Sequence, residues 1–322
     1  MRSPKTVLVT GGAGFIGSHL VERLLAEGCR VKVIDDCSTG RLANLAGVAD
    51  NPCLEVVQGA VSTCPQLKSL VAASDFVFHL AAAVGVELVV RSPIATIHTN
   101  LRETEALLDA VSERRVPTLL ASTSEVYGKS NKAEFVETDD LLIGPPNLGR
   151  WSYACSKLMD EFMGLAYHRE RQQPIIITRF FNTVGPRQTG SYGMVLPRFV
   201  QAALRNEPLR IHGTGLQSRC FCLVHDTVEA LWRLMNCKQA IGEVINIGGT
   251  EETTIENLAR LVIAEVRSKS ELTLIPYNEA YAPGFEDMLR RRPSIAKLER
   301  LIQFKPSTPL SAIVQLTVAA LK

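Results

Sequence analysis

Three glycines set between a short apolar run and a helical pattern limit what this chain can fold into more than any other feature. Val7-Leu8-Val9-Thr10 leads into Gly11-Gly12-Ala13-Gly14-Phe15-Ile16-Gly17, and a helical pattern follows from Ser18 to about Glu27. Gly11 permits a tight turn, Gly14 lets the backbone approach a pyrophosphate, and Gly17 lets the helix pack closely on the strand. The helix N-terminus then offers unbonded N–H groups to the anion. The next strand-like run, Arg30 to Ile34, ends in Asp35, 18 residues beyond Gly17. A carboxylate at that spacing accepts hydrogen bonds from an adenosine ribose. Strand, glycines, helix, strand and acid in this order read as a dinucleotide site with Gly11, Gly14, Phe15, Ile16, Gly17 and Asp35 as its contacts. Asp35 disfavours a ribose 2′-phosphate, so the expected cofactor is NAD rather than NADP.

The rest of the chain continues the alternation. Short Val-, Ile-, Leu- and Phe-rich runs at 5–10, 30–35, 54–58, 75–80, 117–122, 174–180 and 243–247 read as strands buried on both faces. Helical patterns lie near 17–27, 92–114 and 153–170, with Pro93 suited to a first helical turn. This predicts an α/β fold, a doubly wound parallel sheet of the Rossmann type over residues 1–186. A return strand is expected at about 243–249. A smaller C-terminal substrate domain should occupy most of 187–322, with helices near 194–206 and 254–267. A net charge of +2 gives no reason to propose nucleic acid as a partner. No run reaches the roughly 20 apolar residues a membrane span needs. The chain enters its first strand directly after Met1-Arg2-Ser3-Pro4-Lys5, leaving no room for a signal peptide, and its 8 cysteines include no CxxC pair. Reduced thiols and a cytoplasmic location are the expectation.

Tyr153 and Lys157 stand four residues apart on a helical pattern and so share a face. A cation there favours the phenolate, making Tyr153 a usable general base. The strand at 117–122 delivers Ser122-Thr123-Ser124-Glu125 at its C-terminal end, the edge where open α/β sheets bind ligands. Thr123, Ser124, Glu125, Tyr153 and Lys157 are therefore the candidate catalytic set. His19 reads as a packing or capping residue, and His79 as part of the strand edge with no proton to move. Cys220 and Cys222 lack partners for a metal tetrahedron, so no metal is expected.

With these motifs in order, the chain resembles the extended short-chain dehydrogenases that process nucleotide sugars. The likeness covers nearly its whole length. It rests on Gly11/Gly14/Gly17, His79-Leu80-Ala81-Ala82, Thr99-Asn100, Thr123-Ser124-Glu125, Tyr153/Lys157, the run from Arg179 to Pro186, Gln217-Ser218-Arg219 and Asn246-Ile247-Gly248. The resemblance implies tightly held NAD, with Leu80, Ala81, Ala82 and Asn100 joining its contacts, and a helper Thr or Ser beside the Tyr/Lys pair. It also implies Asn182 and Arg219 near a sugar diphosphate, and a homodimer formed through the helices near 92–114 and 153–170. One departure stands out. Many members carry an acid on the adenine after the third strand, but Gln58-Gly59-Ala60-Val61 has none here. The adenine corner is left unassigned.

The shared first step in such enzymes is oxidation of the sugar at C4. The 4-keto sugar can then be re-reduced from the other face, lose water across C5–C6, or, when C6 is a carboxylate, lose CO2 as a β-keto acid. Arg150, three positions before Tyr153, and Arg291, in the substrate part, suit a carboxylate or phosphate because a guanidinium grips either in two places. Together with Glu125 they resemble the UDP-glucuronate decarboxylases, the leading reading. The alternative is a UDP-glucose or UDP-glucuronate 4-epimerase, and the stretch from Gly190 to Arg198 is more similar to those enzymes. A 4,6-dehydratase, a dehydrogenase releasing NADH and a non-catalytic nucleotide-binding protein are further alternatives.

Overall fold

The computed structural model describes residues 4–83, 92–190, 194–280, 286 and 288–322. Residues 191–193 of the stretch with epimerase likeness lie outside these. Seven parallel strands form the central sheet: β1 (Thr6–Thr10), β2 (Arg30–Asp35), β3 (Leu54–Gln58), β4 (Phe76–His79), β5 (Thr118–Thr123), β6 (Ile175–Phe180) and β7 (Val244–Ile247). Their spatial order is β7-β6-β5-β4-β1-β2-β3, so the chain reverses its winding direction between β1 and β4. Val7 lies in register with both Val31 and Phe76, and Thr10 with Ile34 and His79. That reversal opens a crevice at the C-terminal ends of β1 and β4, where such sheets bind ligands.

The strands are apolar on both sides because both sides are covered. Helix α1 (Phe15–Ala26) presents Leu20, Val21 and Leu24 to one face, where Val228, Leu231 and Leu298 from the C-terminal half complete a single buried cluster. On the other face, α2 (Pro93–Ser112) contributes Leu107, Leu108 and Val111 against Leu8, Val77, Leu120 and Ile175. Helix α3 (Trp151–Arg171) packs beside α2. Pro93 opens α2 as its missing N–H requires. Strand β3 is the sheet's edge and half exposed, in contrast to β1, which is buried from Val7 to Thr10.

A second core lies in the C-terminal part. Helices Val195–Leu204, Ile255–Val266 and Leu310–Leu321 enclose Leu196, Phe199, Leu258, Val262, Ile313 and Val314 beside the strands Leu209–His212 and Leu272–Ile275. A small three-stranded sheet, Glu252–Thr254, Ser218–Cys220 and Arg290–Arg291, faces back toward the end of β5. The predicted elements are present within one or two residues of their expected ends.

Candidate active site

The glycine turn explains the cleft. Gly11 has φ +73°, and a Cβ there would come within 2.7 Å of the Ala81 nitrogen. A Cβ on Gly17 would lie 2.0 Å from the Gly11 carbonyl oxygen, so only glycine lets α1 begin so close to β1. Gly14 caps α1 in an extended conformation with no side-chain acceptor, which leaves the first N–H groups of the helix directed at whatever enters. Asp35 is buried and accepts from the N–H of Ala13 and of Cys37, both at 2.8 Å. Burial raises its pKa, an effect the backbone donors oppose.

From this turn the cleft runs both ways. One end is walled by Asp35, Asp36, Gly59, Ala60, Val61 and Glu103; the other by Ala121, Ser122, Tyr153, Lys157 and Phe180. Leu80, Ala81 and Ala82 form its floor at the end of β4. The cleft is partly open to solvent, and its anion-ready centre between two hydrogen-bonding ends suits a dinucleotide. Asn100 stands behind the wall. Its side chain accepts from the Ala83 N–H (2.8 Å) and donates to Ser156 Oγ (3.0 Å), so it pins the loop after β4 to α3.

At the catalytic end, Thr123 closes β5 and accepts from the Glu125 N–H at 3.2 Å, starting a tight turn over Ser124–Tyr127. Tyr153 comes from the first turn of α3 and is hydrogen-bonded to Thr123. Lys157 is expected to lower the Tyr153 pKa, yet the net shift is upward. Burial pushes the phenol up, the carboxylates of Glu125 and Asp160 push it further, and Thr123 and Arg291 offset only part. The Lys157 ammonium is instead bonded to Asp160 at 2.7 Å, both side chains being buried. Asp160 lies one helical turn beyond Lys157, a spacing that could have flagged it. Ser124 is buried at 1% exposure beneath this group.

The arginines converge on Glu125. Arg150, 7% exposed, donates to Glu125 Oε2 at 2.8 Å, to the Glu286 backbone carbonyl, and stacks over Trp151. Arg291 donates to Glu125 Oε1 at 3.2 Å and to Asn182 Oδ1 at 3.0 Å. Asn182, at φ +36°, also donates to the Cys220 carbonyl at 2.9 Å, tying the loop after β6 to the small sheet. Arg219 sits in register beside Arg291 on the adjacent strand. Like charges side by side on a sheet oppose folding, so this pair is a ready site for an anion. Glu125 lies within this positive field. Burial alone would raise its pKa, yet Arg150, Arg291 and Arg219 hold it down to about 2.

Beneath these groups, Arg179 makes a two-pronged pair with Glu161 (2.9 and 2.7 Å), which also accepts from Ser122 Oγ. His79 bridges Thr10 and Thr104, and burial, with the Lys157 charge, holds its pKa down to about 3. His19 packs against His225 and meets the Pro186 carbonyl at 3.0 Å. Cys220 and Cys222 are buried thiols pushed up to about 12.

A dinucleotide cleft whose far end carries a Tyr/Thr pair and a cluster of guanidiniums defines the class as an extended short-chain dehydrogenase of the nucleotide-sugar kind. The chain belongs to the GDP-mannose 4,6 dehydratase family, whose model matches residues 8–317. It is 38% identical over 304 residues to the UDP-N-acetyl-alpha-D-glucosaminuronate decarboxylase of Bacillus cytotoxicus, covering 94% of this chain and 93% of that one. To UDP-glucuronic acid decarboxylase 4 of Arabidopsis thaliana it is 36% identical over 94% of this chain, and it spans 66% of that longer relative. Among solved structures it is similar to the UDP-glucuronic acid 4-epimerase of Bacillus cereus in complex with UDP-glucuronic acid and NAD. There the TM-score is 0.88 and the identity 29%, over 98% of each chain.

Proposed function

We propose that this protein is an NAD-dependent decarboxylase of a UDP-uronic acid, with UDP-glucuronate as substrate and UDP-xylose or its 4-keto precursor as product. The observation that carries this reading is the Glu125 carboxylate gripped by Arg150 and Arg291 beside Tyr153 and Thr123. The same guanidiniums offer a sugar carboxylate a berth next to the groups that would oxidise C4. Relatives named as uronate decarboxylases, 33–38% identical over most of this chain, support it.

Gly11, Gly14, Phe15, Ile16, Gly17, Asp35, Leu80, Ala81 and Ala82 would hold NAD, which would supply reversible hydride transfer at C4. Tyr153 must act as its phenolate to take the proton of the C4 hydroxyl; Lys157 and the positive nicotinamide would favour that form once NAD is bound, against the burial that raises the phenol's pKa, and Thr123 hydrogen-bonds the same oxygen. Its raised pKa then makes Tyr153 a firm holder of that proton, facing the C4 ketone. When CO2 leaves, the bond pair passes to C5 and on to the C4 oxygen, where the Tyr153 and Thr123 hydroxyls stabilise the enolate. Lys157 orients from behind, restrained by Asp160. Arg150 and Arg291 hold the C6 carboxylate in competition with Glu125. Arg219 and Asn182 hold the diphosphate end. Glu125, kept ionised by the arginines, serves to order them and a water at C5 rather than to donate a proton directly.

A second reading, a substrate with an N-acetyl group at C2, is favoured by the Bacillus cytotoxicus relative. Incubation with NAD and each of UDP-glucuronate, its N-acetylated counterpart and UDP-glucose, followed by mass spectrometry, tests both. Loss of CO2 from a uronate supports the proposal. Unchanged mass with inversion at C4 favours a 4-epimerase and rejects it.

The working unit we propose is a homodimer. Ile94, Met159 and Phe162 on the paired helices α2 and α3 are 72%, 49% and 58% exposed, an apolar surface that a second copy would cover. Phe162→Glu should shift the mass in light scattering to that of a monomer; an unchanged mass removes this interface. The cytoplasm is the proposed location, since exposed thiols such as Cys53 and Cys155 are unpaired. We assign the sugar-binding role to the part of the chain after residue 186.

A further inference from the structure

Glu103 is a buried acid that the proposed chemistry does not use. It lies on α2 at 7% exposure and faces the end of the cleft formed by Gly59, Ala60 and Val61. Among the described residues its carboxylate meets no cation; it accepts from the Ser62 N–H at 3.1 Å and from the Ser62 hydroxyl. A carboxylate offers about four acceptor positions, and these two bonds use one on each oxygen. The space before it is open: a Cβ on Gly59 would meet no atom within 4 Å, and Ala60 carries only a methyl.

The order of features along the cleft identifies what reaches this space. The N-terminus of α1 suits the pyrophosphate and Asp35 the ribose, so the purine lies beyond Asp35, against Gly59, Ala60 and Glu103. An adenine presents an amine donor at its edge, whereas a keto purine presents an oxygen acceptor. A carboxylate can only accept, so at the C6 position it bonds the amine and repels the oxygen; the keto purine's N1–H donor lies at a different place on the ring, so Glu103 set to meet a C6 amine favours adenine. We infer that Glu103 reads the purine amine and selects an adenine dinucleotide over a keto-purine one, in place of the acid absent at Ala60. This rests on the proposed cofactor reading.

The test is calorimetric titration of the cofactor-stripped protein with NAD and with nicotinamide hypoxanthine dinucleotide, which differs at the purine edge. The wild type should favour NAD by about 10-fold or more, the scale of one charge-assisted hydrogen bond. Glu103→Gln, whose amide can donate to a keto oxygen, should bring the two within about 3-fold, chiefly by gaining affinity for the hypoxanthine form. Ser62→Ala removes the internal bond and should keep the preference. Equal affinities in the wild type overturn the inference, as does a Glu103→Gln protein that binds both more weakly by the same factor. A wild type that binds neither dinucleotide overturns the cofactor reading itself.

Discussion

Replacing Arg150 by alanine separates a carboxylate-binding arginine from one that only supports the fold. Arg150 is almost fully buried and makes one charge-assisted hydrogen bond to Glu125 at 2.8 Å, where a C6 carboxylate would also bind. Such a bond contributes about 1.5–3 kcal/mol. Losing it from the transition state lowers kcat/KM by about 10- to 150-fold. A neutral hexose has no carboxylate to lose, so its C4 oxidation should fall by no more than about 3-fold. The assay is single-turnover reduction of bound NAD, read by nicotinamide absorbance with UDP-glucuronate and with UDP-glucose. Arg150→Lys keeps the charge but not the second donor, and should fall between wild type and alanine. A drop of equal size on both sugars would refute the carboxylate assignment and return Arg150 to a purely supporting role.

Tyr153→Phe should leave nucleotide binding intact and slow NAD reduction by about 10²- to 10⁴-fold with every sugar, as loss of a positioned proton acceptor does; retained reduction would exclude Tyr153 as the base. Asp160→Asn bears on pH. Asp160 is one of the charges that raise the Tyr153 pKa, and a negative neighbour opposes ionisation of a phenol, so neutralising it should move the rising limb of the rate profile to lower pH. A profile unmoved, or moved upward, would contradict this. Glu161→Gln breaks the buried pair with Arg179 and should cost about 3–5 kcal/mol, seen as a lower Tm in thermal unfolding.

How far the sequence alone reached depended on the range of the contacts involved. The glycine turn, Asp35 and the Tyr153/Lys157 spacing are local patterns whose meaning is carried by neighbouring residues, and the sheet follows from apolar runs buried on both faces. The convergence of Arg291 on Glu125 spans 166 residues, and only the tertiary fold creates it. Resemblance, rather than periodicity, singled out these residues. Asp160, one helical turn beyond Lys157, adds its charge to burial and Glu125 in raising the Tyr153 pKa, an effect the Tyr/Lys spacing alone does not carry. Glu103 sits three positions after Asn100 on the same helix face, yet nothing local distinguishes it from a solvated glutamate. Asn100, expected at the cofactor, bonds Ala83 and Ser156 behind the loop after β4.

A hydride borrowed at C4 should make C6 leave as CO2. Supplying UDP-glucuronate labelled at C6, with NAD, and trapping the gas tests it directly. Label is expected in CO2, with an unlabelled pentose nucleotide and a requirement for Tyr153. Label retained in a sugar of unchanged mass, inverted at C4, would contradict it.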